Sequence, residues 1–209
     1  METKDYLHML VHQIHTVVVA TIDELGLPMT CAIDLMDHDA NSVYFLTAQG
    51  KSFYMRLKQH PYVSLTGIRG DTTMQSAALT LHGKVREVDA SHQQQLFAKN
   101  PYMYDIYPSE ASRQAIRVFQ LYEGCGEWFD LSRRPIERAS FSFGTSPKAD
   151  SGYFVTAACN GCGRCAEVCP QSCIDVAHSP VRIDQRHCLR CGNCHVVCPQ
   201  DAIRKEGSA

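Results

Sequence analysis

The first 131 residues carry apolar positions with a helical period at the start and mostly with a strand period afterwards. Helical spacing over residues 3–14 predicts a short amphipathic helix. β-Branched and alternating runs then predict strands at residues 15–23, 29–36, 43–47, 62–67 and 77–88. Helical spacing returns at 51–60 and 90–98, and apolar runs at 116–122 and 127–131 predict a hairpin. This order predicts an antiparallel β-barrel of the α+β class rather than alternating βαβ units.

Cysteine is concentrated at one end of the chain. Of the 11 cysteines in 209 residues, nine lie between Cys159 and Cys198. A chain of this length has room for one ordinary domain and one small one, so we predict a separate cysteine-rich domain at the C-terminal end. Residues 132–152 are rich in Ser, Gly, Pro and charge, which predicts a linker or extended tail. Phe141 and Phe143 within it are expected to pack onto another element.

The charge balance gives no general attraction to anionic partners. The net charge is −2, so we expect neither nucleic acid nor a membrane surface as a partner. The N-terminal segment mixes charged residues and histidines with apolar residues, unlike a secretory signal peptide. The longest apolar stretch of the chain, residues 17–22 with their neighbours, falls far short of the roughly 20 residues that cross a bilayer. A cytoplasmic location is therefore expected.

Two cysteine runs repeat the same spacing. The run CNGCGRCAEVCP at 159–170 recurs as CLRCGNCHVVCP at 188–199, which indicates an internal duplication with structurally equivalent halves. Two-residue gaps let three thiolates converge on one metal site from a tight loop. Structural zinc sites are the alternative, but they use two Cys-x-x-Cys pairs per metal rather than three cysteines and a fourth before proline.

Residues 153–205 resemble the bacterial two-cluster ferredoxins, in which the fourth cysteine of each run ligates the other cluster. The resemblance implies two sets of 4Fe-4S ligands, namely Cys159, Cys162, Cys165 and Cys198, and Cys188, Cys191, Cys194 and Cys169. The odd cysteine of this region, Cys173, corresponds to Ala202 in the second repeat and is expected to fill a small buried slot. His187 and His195 flank the second set, either as partly exposed neighbours or as groups that tune its potential through hydrogen bonds.

The tripeptide Gly50-Lys51-Ser52 precedes a predicted helix. It is not a P-loop, because that motif would need glycine where Phe45 stands. A lysine at a helix start opposes the positive end of the helix dipole, and a bound anion would resolve the conflict. Free backbone N–H groups beside a lysine and a hydroxyl therefore indicate a phosphate site. The alternative is a solvated lysine with Ser52 as a helix cap.

Residues 5–144, notably VVATIDELGLPMTCAIDL at 18–35 and VYFLTAQGKSFYMRLKQHPYVSL at 43–65, resemble the pyridoxamine 5′-phosphate oxidase-like FMN-binding split barrels. The resemblance implies a homodimer with FMN held between the subunits. The resemblance implies that Thr47, Lys51 and Ser52 bind the phosphate of FMN. Cys31, Ala32 and Ile33 would lie on the strand along the isoalloxazine, and Tyr122 and Trp128 would contact the flavin from the partner subunit. Where the oxidase has an arginine and a lysine, this chain has Cys31 and Met36. Haem- and deazaflavin-binding split barrels are also similar, so either ligand is an alternative to FMN.

The two resemblances together define the expected domains: a split barrel at 1–144, a linker at 145–152 and a two-cluster domain at 153–209. The expected function is that of an FMN-dependent oxidoreductase, which passes electrons between 4Fe-4S clusters and FMN to or from a small-molecule substrate. A redox partner protein is a further expected partner. No catalytic residue is assigned, although Asp34, Arg69 and His82 are candidate pocket residues. The alternative function is a non-enzymatic electron carrier or redox sensor, which would show no steady turnover.

Overall fold

The computed structural model describes residues 1–147 and 151–206, which form two compact units. One unit comprises Met1–Asp71, Ala78–Glu127 and the segment that begins at Phe141, and it holds the barrel. The other comprises Thr72–Ala77, Trp128–Ser140 and the cysteine-rich segment. Within the described residues, no helix is long and apolar enough to cross a membrane.

The N-terminal helix and the first strands lie where the periodicity predicts them. Helix α1 (Thr3–Met9) continues as a π-helical turn, Leu10–Ile14, before the barrel begins. The elements of the barrel are β1 (Thr16–Ile22), β2 (Pro28–His38), β3 (Val43–Ala48), α2 (Ser52–Gln59), β4 (Tyr62–Arg69), β5 (Ala77–Val88), α3 (Ser91–Lys99), α4 (Met103–Ile106), α5 (Glu110–Arg113), β6 (Ile116–Asp130) and β7 (Glu137–Phe143). A short 3₁₀ turn, Thr73–Gln75, precedes β5.

The strands form an antiparallel barrel. Their order is β3-β2-β1-β4-β5-β6-β7, and pairing of β3 with β6 closes a ring of six strands. Val17 and Val19 of β1 are buried while Val18 between them is exposed, because side chains alternate between the two faces of a strand. Phe45 of β3 pairs with Phe119 of β6, and their stacked rings are buried at the closure. The predicted fold class is confirmed.

The predicted hairpin within residues 116–131 is wrong, because β6 is one continuous strand of 15 residues. Its glycines serve close packing rather than a turn. A Cβ atom on Gly124 would lie 2.1 Å from the carbonyl oxygen of His82, and one on Gly126 would lie 2.3 Å from the ring of Phe141. Only glycine permits such close approach of a neighbouring strand or ring.

The predicted linker from residue 132 onward is also too long, because residues 137–143 form strand β7. Phe141 and Phe143 are buried, and the Phe141 ring stacks on Tyr6 of α1 with centroids 4.4 Å apart. The expected packing of this pair is therefore confirmed. Of the linker expected at 145–152, residues 148–150 lie outside the described residues, and Gly152 already begins the next strand.

The cysteine-rich unit has the two-fold repetition that its sequence predicts. Its elements are β8 (Gly152–Val155), α6 (Arg164–Glu167), β9 (Ile174–Asp175), β10 (Arg182–Ile183), α7 (Asn193–Val196) and β11 (Ile203–Glu206). Antiparallel pairing joins β8 to β11 and β9 to β10. Buried aliphatic residues, Ile174, Val181 and Ile203, pack with Cys165 and Cys194. The small apolar core thus forms around the cysteines themselves.

Candidate functional sites

The eight cysteines of the two runs line two separate cavities, each with three residues from one run and the fourth from the other. The first cavity is lined by Cys159, Cys162, Cys165 and Cys198. The second is lined by Cys188, Cys191, Cys194 and Cys169, and also by Cys173. Four thiols around one small space are the ligand set of a 4Fe-4S cluster.

The loops that carry the cysteines have the same backbone turn in both repeats. Gly161 and Arg190 occupy equivalent positions with φ of 73° and 58°. Their N–H groups donate to the Sγ of Cys159 and Cys188, over 3.5 and 3.3 Å. Arg190 adopts a left-handed conformation that is costly for a residue with a Cβ atom. The conformation aims a backbone donor at sulfur, and such bonds help to set cluster potentials.

The two cavities differ at Cys173. Its Sγ lies 3.5 Å from the Sγ of Cys169, whereas the equivalent Ala202 donates its N–H to the Sγ of Cys198 over 3.3 Å. Cys173 is half-buried, and this burial together with the Cys169 thiol raises its pKa. Cys173 therefore stands beside a proposed ligand as a neutral thiol rather than a thiolate.

The two histidines that flank the second run are tied to backbone carbonyls. The Nδ1–H of His187 donates to the carbonyl oxygen of Ile136 over 2.7 Å, and that of His195 donates to Ile203 over 2.6 Å. The carbonyls accept only, so each Nδ1 carries the hydrogen. These bonds hold both rings, half-buried, beside the cysteine loops.

The barrel unit contains a second kind of site, a cavity of about 280 Å³ between β2, β3 and the segment before β6. Four of the predicted flavin contacts line it: Ala32, Ile33, Thr47 and Lys51. The other lining residues are Thr16, Asp34, Met36, Leu46, Ala48, Tyr102, Met103, Ile106, Tyr107 and Ile116. Apolar and polar side chains contribute to the walls in similar measure, so the cavity offers both the apolar surface and the polar groups that a small molecule needs.

One end of the cavity presents unpaired donors. Thr47 is only 3% exposed, and its Oγ1 has no hydrogen-bond partner in the described chain. Lys51 precedes α2, and Ser52 is the first helical residue. The first N–H groups of an α-helix have no intrahelical acceptor. A buried hydroxyl, an ammonium group and a helix start together suit an anionic group such as a phosphate.

The other four predicted flavin residues do not line this cavity: Cys31, Ser52, Tyr122 and Trp128. Ser52 follows the lining residue Lys51 in the chain. Cys31 lies on β2 opposite Val19, and burial raises its pKa although Arg56 and Lys51 act against the shift. Tyr122 carries the guanidinium of Arg86 over its ring at 4.7 Å. Trp128 is only 4% exposed, which leaves little of its surface for a ligand in another subunit.

Tyr102 is a polar cavity residue that sequence patterns missed. Its hydroxyl donates to Oδ2 of Asp34 over 3.1 Å, while Thr16 donates to Oδ1 over 2.6 Å. Burial, and then the Asp34 carboxylate, raise the pKa of Tyr102 to about 12. Three tyrosines within PYMYDIY at 101–107 were the available signal. Of the three candidate pocket residues, Asp34 lines the cavity, whereas Arg69 and His82 do not.

A closed split barrel with a cavity, joined to a unit whose two cavities each contain four cysteines of the repeated runs, defines an iron–sulfur redox protein. Residues 3–122, more than half of the chain, match the pyridoxamine 5′-phosphate oxidase family, and the protein belongs to that family. Residues 152–206 match the 4Fe-4S dicluster domain. A comparison with curated proteins finds no match for the chain.

Solved structures with the same barrel share little sequence with the protein. A protein from Clostridium acetobutylicum related to general stress protein 26 of B. subtilis has a TM-score of 0.52 and 20% identity, over 66% of this chain and 94% of that one. A nimC/nimA family protein from the same organism has a TM-score of 0.54 and 15% identity, over 67% and 92%. A conserved hypothetical protein from Mycobacterium tuberculosis has a TM-score of 0.51 and 17% identity, over 63% and 86%. These structures share the fold alone.

Proposed function

We propose that the protein is an iron–sulfur flavoprotein oxidoreductase that passes electrons between two 4Fe-4S clusters and FMN, to or from a small-molecule substrate. FMN supplies exchange of one or two electrons, which matches one-electron clusters to two-electron chemistry on a substrate. The observation that carries the proposal is the barrel cavity, which is lined by both Lys51 and Thr47, whose buried hydroxyl has no partner in the described chain.

The two cysteine sets support the cluster half of the proposal. Cys159, Cys162, Cys165 and Cys198 would hold one cluster, and Cys188, Cys191, Cys194 and Cys169 the other. Each set combines a three-cysteine loop with a cysteine that follows a short helix of the other repeat. The backbone N–H groups of Gly161 and Arg190 would stabilise thiolate charge on Cys159 and Cys188.

The residues of the barrel cavity would bind the two ends of FMN differently. Thr47 and Lys51 of the cavity, with Ser52 next to Lys51 at the start of α2, would bind its phosphate, because they combine hydroxyls, an ammonium group and backbone donors. Ala32 and Ile33 would flank its rings with apolar surface from β2. The O–H of Tyr102 donates to Asp34, so the Tyr102 oxygen would accept a hydrogen bond from a bound substrate.

A homodimer is part of the proposal. Large apolar side chains are exposed on β1, the turn after it and the start of β2, namely Val18, Ile22, Leu25, Leu27 and Met29. Contiguous exposed apolar surface commonly marks a protein interface. The dimer would complete the cavity, since flavin held between subunits has walls from both.

Cofactor analysis after anaerobic purification tests the proposal. We expect FMN in the extract at about one per chain, with about eight iron and eight sulfide atoms from two clusters. Haem or deazaflavin in the extract would overturn the assignment of FMN. Zinc without sulfide would overturn the assignment of the clusters. Steady-state turnover with a small-molecule acceptor or donor then separates an oxidoreductase from an electron carrier or sensor, which would show only stoichiometric oxidation and reduction.

A further inference from the structure

Three histidines of the barrel unit lie together although the chain separates them. His8 belongs to α1, His12 to the π-helical turn after it, and His38 ends β2. Ring nitrogens of the three residues lie within 4.8 Å of one another. His8 and His12 are exposed and His38 is half-buried, so an ion from solvent can reach them. The cluster is separate from the barrel cavity, since none of the three histidines lines it.

The local structure explains why these rings converge. Residues four apart share one face of a helix, and the His8 and His12 rings accordingly have centroids 4.5 Å apart. The ring of His38 meets both of them edge-on, with centroids 5.3 Å from His8 and 5.4 Å from His12. Two helical side chains and one strand side chain therefore present three imidazoles to the same point.

The hydrogen bonding of His38 prepares its ring for a metal ion. Its Nδ1 lies 3.1 Å from the carbonyl oxygen of Asp39, which accepts only, so Nδ1 carries the hydrogen. The lone pair is then on Nε2, which faces Nδ1 of His8 at 3.3 Å. Metal-bound histidines usually donate their other ring N–H to a carbonyl or carboxylate in this way.

We propose that His8, His12 and His38 bind a divalent transition-metal ion of the zinc class. Tetrahedral zinc with Zn–N bonds of about 2.0–2.1 Å has ligand nitrogens about 3.3–3.4 Å apart, and the His8–His38 pair already has that spacing. Exposed side chains need only small rotations to bring His12 to the same distance. Water completes the fourth position, because the cluster faces solvent.

The donor set decides the class of ion. Both carboxylates adjacent to His38 are bonded to other groups: Asp37 pairs with Lys99 over 2.6 Å, and Asp39 accepts from the hydroxyls of Ser42 and Tyr44. This leaves three imidazole nitrogens as the ligands. Imidazole suits Zn²⁺, Cu²⁺ and Ni²⁺, whereas Mg²⁺ and Ca²⁺ require oxygen ligands. The ion would also join the N-terminal helical segment to β2, so its binding stabilises the folded barrel.

The test is a zinc titration of anaerobically purified protein with both clusters intact, against a competing chelator. We expect one Zn²⁺ per chain in the wild type. His12→Ala and His38→Ala should each lower the affinity at least about tenfold, since even residues that only support ligands contribute about 10–100-fold. His60→Ala changes a barrel histidine outside the group of three and should leave the zinc affinity unchanged.

Zinc-edge X-ray absorption distinguishes this site from zinc captured by cysteines. We expect imidazole nitrogen scatterers and no sulfur, with iron and sulfide contents unchanged. Sulfur scatterers would overturn the proposal, as would a zinc affinity indifferent to His12→Ala and His38→Ala. The far-ultraviolet circular dichroism of both variants should match the wild type, and His12→Gln provides a second test if His12→Ala fails to fold.

Discussion

The hydroxyl of Tyr102 donates a hydrogen bond to Oδ2 of Asp34 across the wall of the barrel cavity, over 3.1 Å. The two residues are 68 positions apart in the chain, and the closed barrel brings them together. The bond accounts for part of the raised pKa of Tyr102, because a phenolate would face the Asp34 carboxylate. The cavity therefore contains a phenol that keeps its proton at pH values at which other tyrosines begin to ionise.

We expect the ring-carbon NMR signal of Tyr102, assigned by its loss in Tyr102→Phe, to titrate near pH 12. Asp34→Asn should lower this midpoint because it removes a negative charge from the phenolate. A raised folded-state pKa stabilises the protein below the usual tyrosine value of about 10, and the contribution is lost as pH rises towards 12. Titration of Tyr102 at the value of an exposed tyrosine, unaffected by Asp34→Asn, would contradict the account.

Lys51→Ala combined with Ser52→Ala should weaken FMN binding by about 10–100-fold, since a hydrogen bond between charged groups contributes about 1.5–3 kcal/mol. Lys58→Ala, on the same helix but paired with Glu87, is the matched control and should retain wild-type affinity. Titration followed by flavin fluorescence measures the FMN affinity of the double variant and of the control. Riboflavin lacks the phosphate, so its affinity should change much less. Unchanged FMN affinity would place the phosphate elsewhere, whereas equal losses for both flavins would indicate a disrupted fold.

Cys198→Ala should damage the cluster proposed to be held by Cys159, Cys162 and Cys165, because Cys198 is its fourth ligand. Cys169→Ala should be milder for the other cluster, since the Sγ of Cys173 lies 3.5 Å from that of Cys169 and can replace it. Adding Cys173→Ala should remove the difference. Iron and sulfide analysis with electron paramagnetic resonance measures these losses, and damage confined to the run that carries each substitution would refute the crossed assignment.

Gly124→Ala should lower the melting temperature, because the new methyl group would lie 2.1 Å from the backbone carbonyl of His82. Overpacking of this kind costs about 1–3 kcal/mol. Gly50→Ala is the matched control, since a Cβ there has no atom within 4 Å and the expected change is within about 0.5 kcal/mol. Thermal unfolding followed by circular dichroism compares the two. Equal stability of both variants would mean that the strands can separate at no cost.

Sequence patterns predicted those features that depend on local spacing. Period-two runs predicted the strands and the antiparallel barrel. The two cysteine sets were predicted by the cysteine repeat together with its resemblance to the two-cluster ferredoxins. The hairpin expected within β6 was wrong because Gly124 and Gly126 accommodate neighbours that are distant in sequence. Tyr102 lies in a segment without a regular period, and its contact with Asp34 depends on barrel closure. His38 likewise joins His8 and His12 only through tertiary structure.

Transfer of electrons between the clusters and FMN is the central claim, and reduction kinetics test it most directly. Photochemical reduction of the anaerobic protein should bleach the cluster absorption first and the flavin band afterwards. Cys159→Ala and Cys188→Ala, with FMN still bound, should each slow flavin bleaching, whereas Cys125→Ala should not, because Cys125 belongs to neither cluster set. A flavin reduced at the same rate in all three variants and the wild type would contradict the claim and leave the two cofactors without electronic connection.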